Sequence, residues 1–531
     1  MPDISSILQT AFHDRSFAIS SFIIAGVLAL VVVPLLMRFA KRMNLVDLPD
    51  DNRKLHTKSI PLVGGIAIFI SVTITVVATI LIFRSQINLK PGDTSEFLGL
   101  FIASGFLLLV GVVDDAIGLR GRQKLMGQIM AVSILLIFGF NFDHVRVMGT
   151  TIEFGHFSIL FVFLWCLAVT NSINLMDGAD GFASSIGITI SLALCVMAIF
   201  HPAGRHIDAI AMLALAGALF GFLRFNFPPA RVFLGDAGSM LIGFVLSAVA
   251  IRCAFKQATA YAFFAPFALL AIPFIDTAAA VLRRKLTGRS IYTVDRGHIH
   301  HMMSKRGFSP VASLVWLVAL CTMACIGGTI SFLYHKAEFA LVSIALVIFV
   351  MMIAGIFGVA ELQLLMKKSK SALKLLLGRD SNGSGSVQQS AVQLQGDNQD
   401  WQHYWELLCE FADEHELREI TFDLNLPWIH ESFYATRRRD DSPKGENGEW
   451  RSELPLAAKG KLLGRVEFFG DKASRFSHHD VIVNLLKLTC DIEKSIEDKS
   501  VSAAVTSNGK PSLAEAGSPD SESEPESIYK Q

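Results

Sequence analysis

Phe157-Ser158-Ile159-Leu160-Phe161-Val162-Phe163-Leu164-Trp165-Cys166-Leu167-Ala168-Val169-Thr170-Asn171-Ser172-Ile173-Asn174-Leu175-Met176-Asp177-Gly178-Ala179-Asp180-Gly181 is an apolar run that closes in a polar repeat. The apolar part is long enough to cross a bilayer as a helix, which takes about 17–25 residues. The closing part sets Asn171, Asn174, Asp177 and Asp180 three residues apart, with Gly178 and Gly181 among them. Residues three apart share a helix face. Such a stripe can offer amide donors and carboxylate acceptors to a nucleotide base or a sugar while the opposite face stays apolar. A polar seam between helices is the alternative, and it would require a partner for each of these groups.

The apolar half of that pattern recurs along the chain. Of 531 residues 52% are hydrophobic and 18% charged, and the mean hydropathy is +0.47, too apolar for a soluble protein of this size. Apolar runs near residues 17–40, 62–83, 97–113, 125–140, 156–175, 181–200, 207–225, 239–255, 260–282, 311–334 and 338–364 predict an all-α polytopic membrane protein of about eleven transmembrane helices. The first run has no basic flank or small-residue cleavage site before it, so it is expected to stay as a helix. The membrane is one partner; a net charge of zero gives no reason to expect nucleic acid.

Alternate loops carry the basic residues. Arg38, Lys41, Arg42, Arg53, Lys54 and Lys58 lie in one, Arg120, Arg122 and Lys124 in the next, Arg231 in a third, and Arg283, Arg284, Lys285, Arg289, Arg296, Lys305 and Arg306 in a fourth. The intervening loops hold few. Positive charge favours the cytoplasm, which predicts an external N-terminus and a cytoplasmic C-terminus. That orientation puts Asp114-Asp115, the Asn/Asp repeat, Asp236 and the histidine cluster, from four separate loops, all on the cytoplasmic face.

A carboxylate at the centre of a membrane helix costs roughly 2.5–3.5 kcal/mol on insertion scales, so carboxylates gathered at span ends need a reason. Asp114-Asp115 follow Gly111-Val112-Val113, with Lys124 nine residues later. Adjacent carboxylates repel and become useful beside a divalent cation or a lysine; a solvated loop start would look the same in isolation. Asp236 stands between Gly235 and Gly238, where small neighbours let a phosphate or Mg²⁺ approach, although a plain Gly-Asp turn reads alike. His298, His300 and His301 follow Asp295 in the largest basic loop, a density suited to a diphosphate and, less well given the hard carboxylates nearby, to zinc. Lys58 precedes Pro61 and Gly64-Gly65 and is a candidate for phosphate charge, with topological charge as its rival.

Residues 1–370 form the expected membrane unit, with a short external hairpin between His144 and Phe154. Residues 378–400, rich in Gly, Ser, Gln, Asn and Asp, read as a flexible linker. Residues 401–497 read as a small cytoplasmic α/β domain: a helix through Trp401, Trp405, Leu408 and Phe411, strands, a hairpin from Glu453 to Phe469, and a last helix from Val481 to Ile496. Residues 501–531 lack the apolar content for a core and are expected to be disordered. The seven cysteines include no C-x-x-C pair and read as packing groups.

Taken in order, the lysine-rich segment before Pro61-x-x-Gly64-Gly65, Asp114-Asp115, Asn171-x-x-Asn174-x-x-Asp177-Gly-x-Asp180-Gly, Gly235-Asp236-x-Gly-Ser and His298-x-His300-His301 resemble the bacterial polyprenyl-phosphate N-acetylhexosamine-1-phosphate transferases over roughly residues 20 to 360. The His-x-His-His element is similar to that of the WecA/TagO-type branch rather than to the muramyl-pentapeptide branch. The resemblance implies transfer of GlcNAc-1-phosphate from UDP-GlcNAc, or from another UDP-N-acetylhexosamine, to undecaprenyl phosphate with release of UMP. It implies Mg²⁺ (or Mn²⁺) as cofactor, held by Asp236 and Asp115, with Asp114 and Asp115 catalytic. Lys58, Lys124, Asn171, Asn174, Asp177, Asp180, His298, His300 and His301 would then bind substrate. UDP-MurNAc-pentapeptide is the alternative donor. A secondary transporter is the alternative class, but its polar groups should sit near the midplane of two related halves. A scaffold working through residues 401–497 would leave the polar clusters unexplained.

Overall fold

The computed structural model describes residues 16–42, 45–47, 59–84, 87, 91–142, 144–147, 150–254, 260–286, 298–355, 387–395, 399–426, 431–439, 449–458, 461–471 and 478–508. Lys58, Asp295 and the basic residues between Arg53 and Lys58 lie outside them. The chain divides into two compact units, Met1–Arg379 and Asp380–Gln531.

The first unit is helical. Its elements are α1 (Ser16–Phe39), α2 (Gly64–Ile82), α3 (Pro91–Ile117), α4 (Gly121–Ile137), α5 (Phe157–Met176), α6 (Phe182–Ile199), α7 (His206–Asn226), α8 (Gly235–Cys253), α9 (Ala260–Leu269), α10 (Ala271–Leu286), α11 (Ile299–Lys305), α12 (Pro310–Tyr334) and α13 (Ala337–Ile353). Two short antiparallel pairs accompany them: β1 (Val46–Asp47) with β2 (Ile60–Pro61), and the expected hairpin of β3 (His144–Val147) and β4 (Thr150–Glu153).

Among the described residues eight helices are long and apolar enough to cross a membrane, and a ninth crossing results if α9 and α10 count together. About eleven were expected. Helices α4 and α13 have 17 residues each, shorter than the spans counted. The run expected as one span over 260–282 is bent by 75° between α9 and α10. Pro273 explains the break: it has no N–H, and its ring clashes with the carbonyl four residues back, so α9 cannot continue through it.

Helix α8 is the most enclosed span. It packs against α2, α3, α5 and α6, and small residues set the separations. A Cβ on Gly65 would lie 2.4 Å from the Gly238 backbone nitrogen, and one on Gly111 would lie 2.3 Å from the Ala237 Cα. Without side chains there, α2 and α3 approach α8 backbone to backbone. Hydrogen bonds follow: the Gly64 and Gly65 amides donate to the Phe233 and Leu234 carbonyls at 3.2 and 3.1 Å.

At the opposite end of α8 from Gly235, Arg252 is buried and donates through Nε to Asp208 at 2.8 and 3.1 Å, and through a terminal nitrogen to Glu96. Its guanidinium also lies over the Phe140 ring. The network ties α3, α7 and α8 together, with Arg252 and Asp208 buried.

The second unit is an α/β fold with a five-stranded antiparallel sheet. Its elements are β5 (Val387–Gln395), α14 (Gln399–Glu414), β6 (Glu419–Leu426), β7 (Glu431–Arg439), β8 (Glu449–Ala458), β9 (Lys461–Asp471) and α15 (His478–Asn508), with strand order β5-β7-β6-β9-β8. Trp401, Trp405 and Leu408 of α14 and Val481, Leu485, Ile492 and Ile496 of α15 meet Ile420, Phe422 and Phe468 of the sheet in one core. Two boundaries differ from expectation. Residues 387–395, read as linker, form the edge strand β5 paired with β7, since an edge strand is held by backbone hydrogen bonds and needs little apolar content. Helix α15 continues to Asn508, into the segment read as disordered.

Candidate active site

The start of α8 organises the site. Gly235 has φ +71°, and a Cβ there would fall 2.4 Å from Asp115 Oδ2, so only glycine admits the carboxylate. Asp115, from the end of α3, accepts the Asp236 amide at 2.7 Å and the Ala237 amide at 3.1 Å. Those amides are among the donors that a helix start leaves without intrahelical partners, and a carboxylate there also suits the helix dipole. Asp115 was expected as a catalytic carboxylate and metal ligand; both of its oxygens are engaged in capping α8.

Lys124, from the first turn of α4, lies between the remaining groups. Its Nζ is 2.6 Å from Asp236 Oδ1, 3.2 Å from Asp114 Oδ2 and 3.2 Å from Asn174 Oδ1. Asp114 accepts the Leu119 amide at 2.7 Å, which fixes the turn between α3 and α4. Asn174 donates to Asp236 and, at 2.8 Å, to Ser239 Oγ. Three helices thus deliver Asp114, Asp236 and Asn174 to one ammonium.

The rest of the polar repeat has a divided fate. Asn171 exchanges hydrogen bonds with the Gln128 amide at 2.8 and 3.2 Å and donates to the Leu167 carbonyl. It therefore fastens α5 to α4, as the seam alternative required. Asp180 accepts the Ala230 amide at 2.8 Å. Asp177 follows the last turn of α5, where burial, and then the charges of Asp236, Asp115 and Asp180, push its carboxyl well above the usual range. Asp114, Asp115, Asn174, Asp177, Asp180 and Asp236, with Lys124, thus form one constellation built from separate loops.

The histidine segment is anchored on the broken helix. His298 is the N-cap of α11, and its Nδ1 lies 2.9 Å from Asp276 Oδ2 on α10. His300 and His301 follow in the first turn of α11. Helix α10 in turn packs against α5, which carries Asn171 and Asn174.

Three residues absent from the sequence reading support these groups. Gln128 locks Asn171. Asn226 accepts from the Gly181 amide at 3.2 Å and from Ser184 Oγ at 2.8 Å and donates to the Val232 carbonyl at 3.0 Å, joining the loop after Asp180 to the loop before Asp236. Asp276 holds His298. Gln128 and Asp276 are costly polar residues within apolar runs, and that cost was the available signal.

Residues 97–254, which carry Asp114, Lys124, the polar repeat and Asp236, match the model of glycosyl transferase family 4. The chain is 32% identical over 291 residues to a probable undecaprenyl-phosphate N-acetylglucosaminyl 1-phosphate transferase of Bacillus subtilis, covering 54% of this chain and 78% of that one. The chain belongs to this family of polyprenyl-phosphate sugar-phosphate transferases. Further family members are a decaprenyl-phosphate N-acetylglucosaminephosphotransferase of Mycolicibacterium smegmatis, 29% identical over 57% of this chain and 79% of its own, and a phospho-N-acetylmuramoyl-pentapeptide-transferase of Staphylococcus carnosus, 31% identical over 56% and 95%. As a family member the chain is a multi-pass membrane enzyme, a phosphotransferase. The matched residues lie within the helical unit; the α/β unit is outside them.

Proposed function

We propose that this enzyme transfers GlcNAc-1-phosphate from UDP-GlcNAc to undecaprenyl phosphate, releasing UMP and starting a lipid-linked envelope polysaccharide. The reaction would take place on the cytoplasmic face of a bacterial inner membrane, with the N-terminus outside and the α/β domain in the cytoplasm. One observation carries the reading: Lys124 gathers Asp114, Asp236 and Asn174 at the ends of three spans, beside Asp177. A cytosolic nucleotide and a lipid phosphate in the headgroup layer can both reach such a place.

Asp236, Asp114 and Asn174 fit Mg²⁺ (or Mn²⁺). Their oxygens already surround one cation, the Lys124 ammonium, and hard donors in this number suit an ion that binds through one or two carboxylates and leaves positions for phosphate and water. When bound, the ion would neutralise charge on the donor diphosphate. Asp115 would reach it only through lone pairs spared by its two amide bonds. With the ion bound, the Lys124 ammonium would be displaced from those oxygens and would supply positive charge to the reacting phosphates beside them. The acceptor phosphate oxygen bonds to the β-phosphorus as the bond to the UMP oxygen breaks. Phosphate is already largely ionised near neutral pH, so charge screening matters more than proton removal. Asp177, Asp180 and the histidines, with Lys58, would hold the nucleotide sugar.

The identity to a muramyl-pentapeptide transferase supports UDP-MurNAc-pentapeptide as the second donor reading. Purified enzyme given undecaprenyl phosphate, Mg²⁺ and a panel of UDP-sugars separates the two by UMP formation and the mass of the lipid product. Asp236→Asn is expected to lower UMP release by at least ~10²-fold; near-wild-type release would refute the assigned site.

A further inference from the structure

Asp276 lies in the apolar stretch of α10 and is 1% exposed, while His298 is 6% exposed. Its two oxygens are used on consecutive residues: Oδ2 accepts from His298 Nδ1 and Oδ1 accepts from the Ile299 amide, both at 2.9 Å. One carboxylate thereby fixes a histidine ring and caps the helix that begins beside it. The Ile299 amide is one of the donors that the start of α11 leaves over. The histidine bond has a chemical consequence, because in a neutral imidazole the proton on one nitrogen determines the role of the other. With Nδ1–H donated to Asp276, Nε2 of the neutral ring is an acceptor, and the ring cannot rotate without breaking a buried bond.

The bend between α9 and α10 makes this possible. A straight helix through Pro273 would carry Asp276 elsewhere, whereas the 75° turn brings it to the start of α11.

We propose that Asp276 is a positioning residue for the histidine motif: it selects the tautomer of His298 and sets the start of α11, and so presents His298 in the geometry that engages the UDP-sugar. The proposal rests on the transferase reading above and adds the residue through which His298 is organised. Asparagine in place of Asp276 would turn an amide donor toward His298 Nδ1 while keeping an oxygen for the Ile299 amide. That would reverse the tautomer with little change of shape, as removing the carboxylate charge does in other His–Asp pairs.

A double-mutant cycle in the full-length enzyme tests it, with UMP release measured against UDP-GlcNAc at saturating undecaprenyl phosphate. Asp276→Asn is expected to lower kcat/KM for the donor by at least about 10-fold, the lower end of the loss when the carboxylate partner of a metal-bound histidine is removed. His298→Ala should lose at least as much, and the double variant should fall within about threefold of His298→Ala alone. Losses that multiply, or an Asp276→Asn enzyme equal to wild type, would overturn the proposal. The KM for undecaprenyl phosphate should stay within about threefold; an equal rise for both substrates would mean general damage and also count against it. If Asp276→Asn does not accumulate, Asp276→Glu in both backgrounds takes its place: it keeps two acceptor oxygens and should cost activity only where His298 is present. Failure of wild type to release UMP from any donor would sink the transferase reading itself, a result distinct from multiplying losses in an active enzyme.

Discussion

At Lys124 one ammonium serves three acceptors, and this decides how the site responds to change. Two carboxylates, Asp114 and Asp236, face the same nitrogen, so replacing it by an apolar group leaves like charges opposed with nothing between them. Lys124→Met is expected to reduce UMP release by at least ~10²-fold, measured with purified enzyme; activity within threefold of wild type would remove Lys124 from the site. Asp177 gives a pH signature. Burial and its acidic neighbours raise its carboxyl above the usual range, so the folded state favours the protonated form. Its favourable contribution is present below the unfolded value of about 4 and is lost as pH rises toward the raised value. Asp177→Asn should therefore raise the thermal midpoint of ligand-free enzyme at pH 7 to 8 and leave it nearly unchanged at pH 4; equal shifts at both would contradict the assignment.

Helix α8 shows how distant groups are registered. One end receives Asp115 across its first amides; the other holds Arg252 against Asp208 and Glu96. Between them, contacts at Gly65 and Gly111 bring α2 and α3 to backbone distance. Arg252→Met removes the guanidinium that bonds buried Asp208, while Glu96 keeps Arg205 at 3.7 Å; breaking a buried pair by removing one partner costs about 3–5 kcal/mol. A large drop in the thermal midpoint in detergent is expected, and a drop no greater than that of an exposed lysine substitution would show that the network contributes little. Much of this element-level order was legible: the spans follow from apolar runs, and their ends from the polar residues that close them. The bend was not foreseen, because hydropathy averages over proline and reports only that 260–282 is apolar. Nor was the role of Asn171, since a stripe of amides reads the same whether it faces a ligand or Gln128.

The whole molecule consists of two units with separate cores. The family match and every group of the constellation lie in the first. A chain ending at Arg379 is accordingly expected to keep UMP release within about threefold of the full-length enzyme in membranes; abolished activity in a truncated protein that still accumulates would assign the α/β domain a part in the chemistry.

Composition and periodicity alone determined that this chain is a membrane protein and where its apolar segments lie, because the cost of exposing backbone and charge to lipid is set residue by residue. The motif spacing also marked the acidic clusters, whose cost at span ends is equally local. Tertiary structure alone decided their division of labour. Asp115 caps α8, Asn171 fastens α5 to α4, Lys124 bridges Asp114 and Asp236, and Asp276 holds His298. Those roles depend on which helices approach backbone to backbone and where one of them bends, and such long-range geometry has no counterpart in the local pattern of the chain.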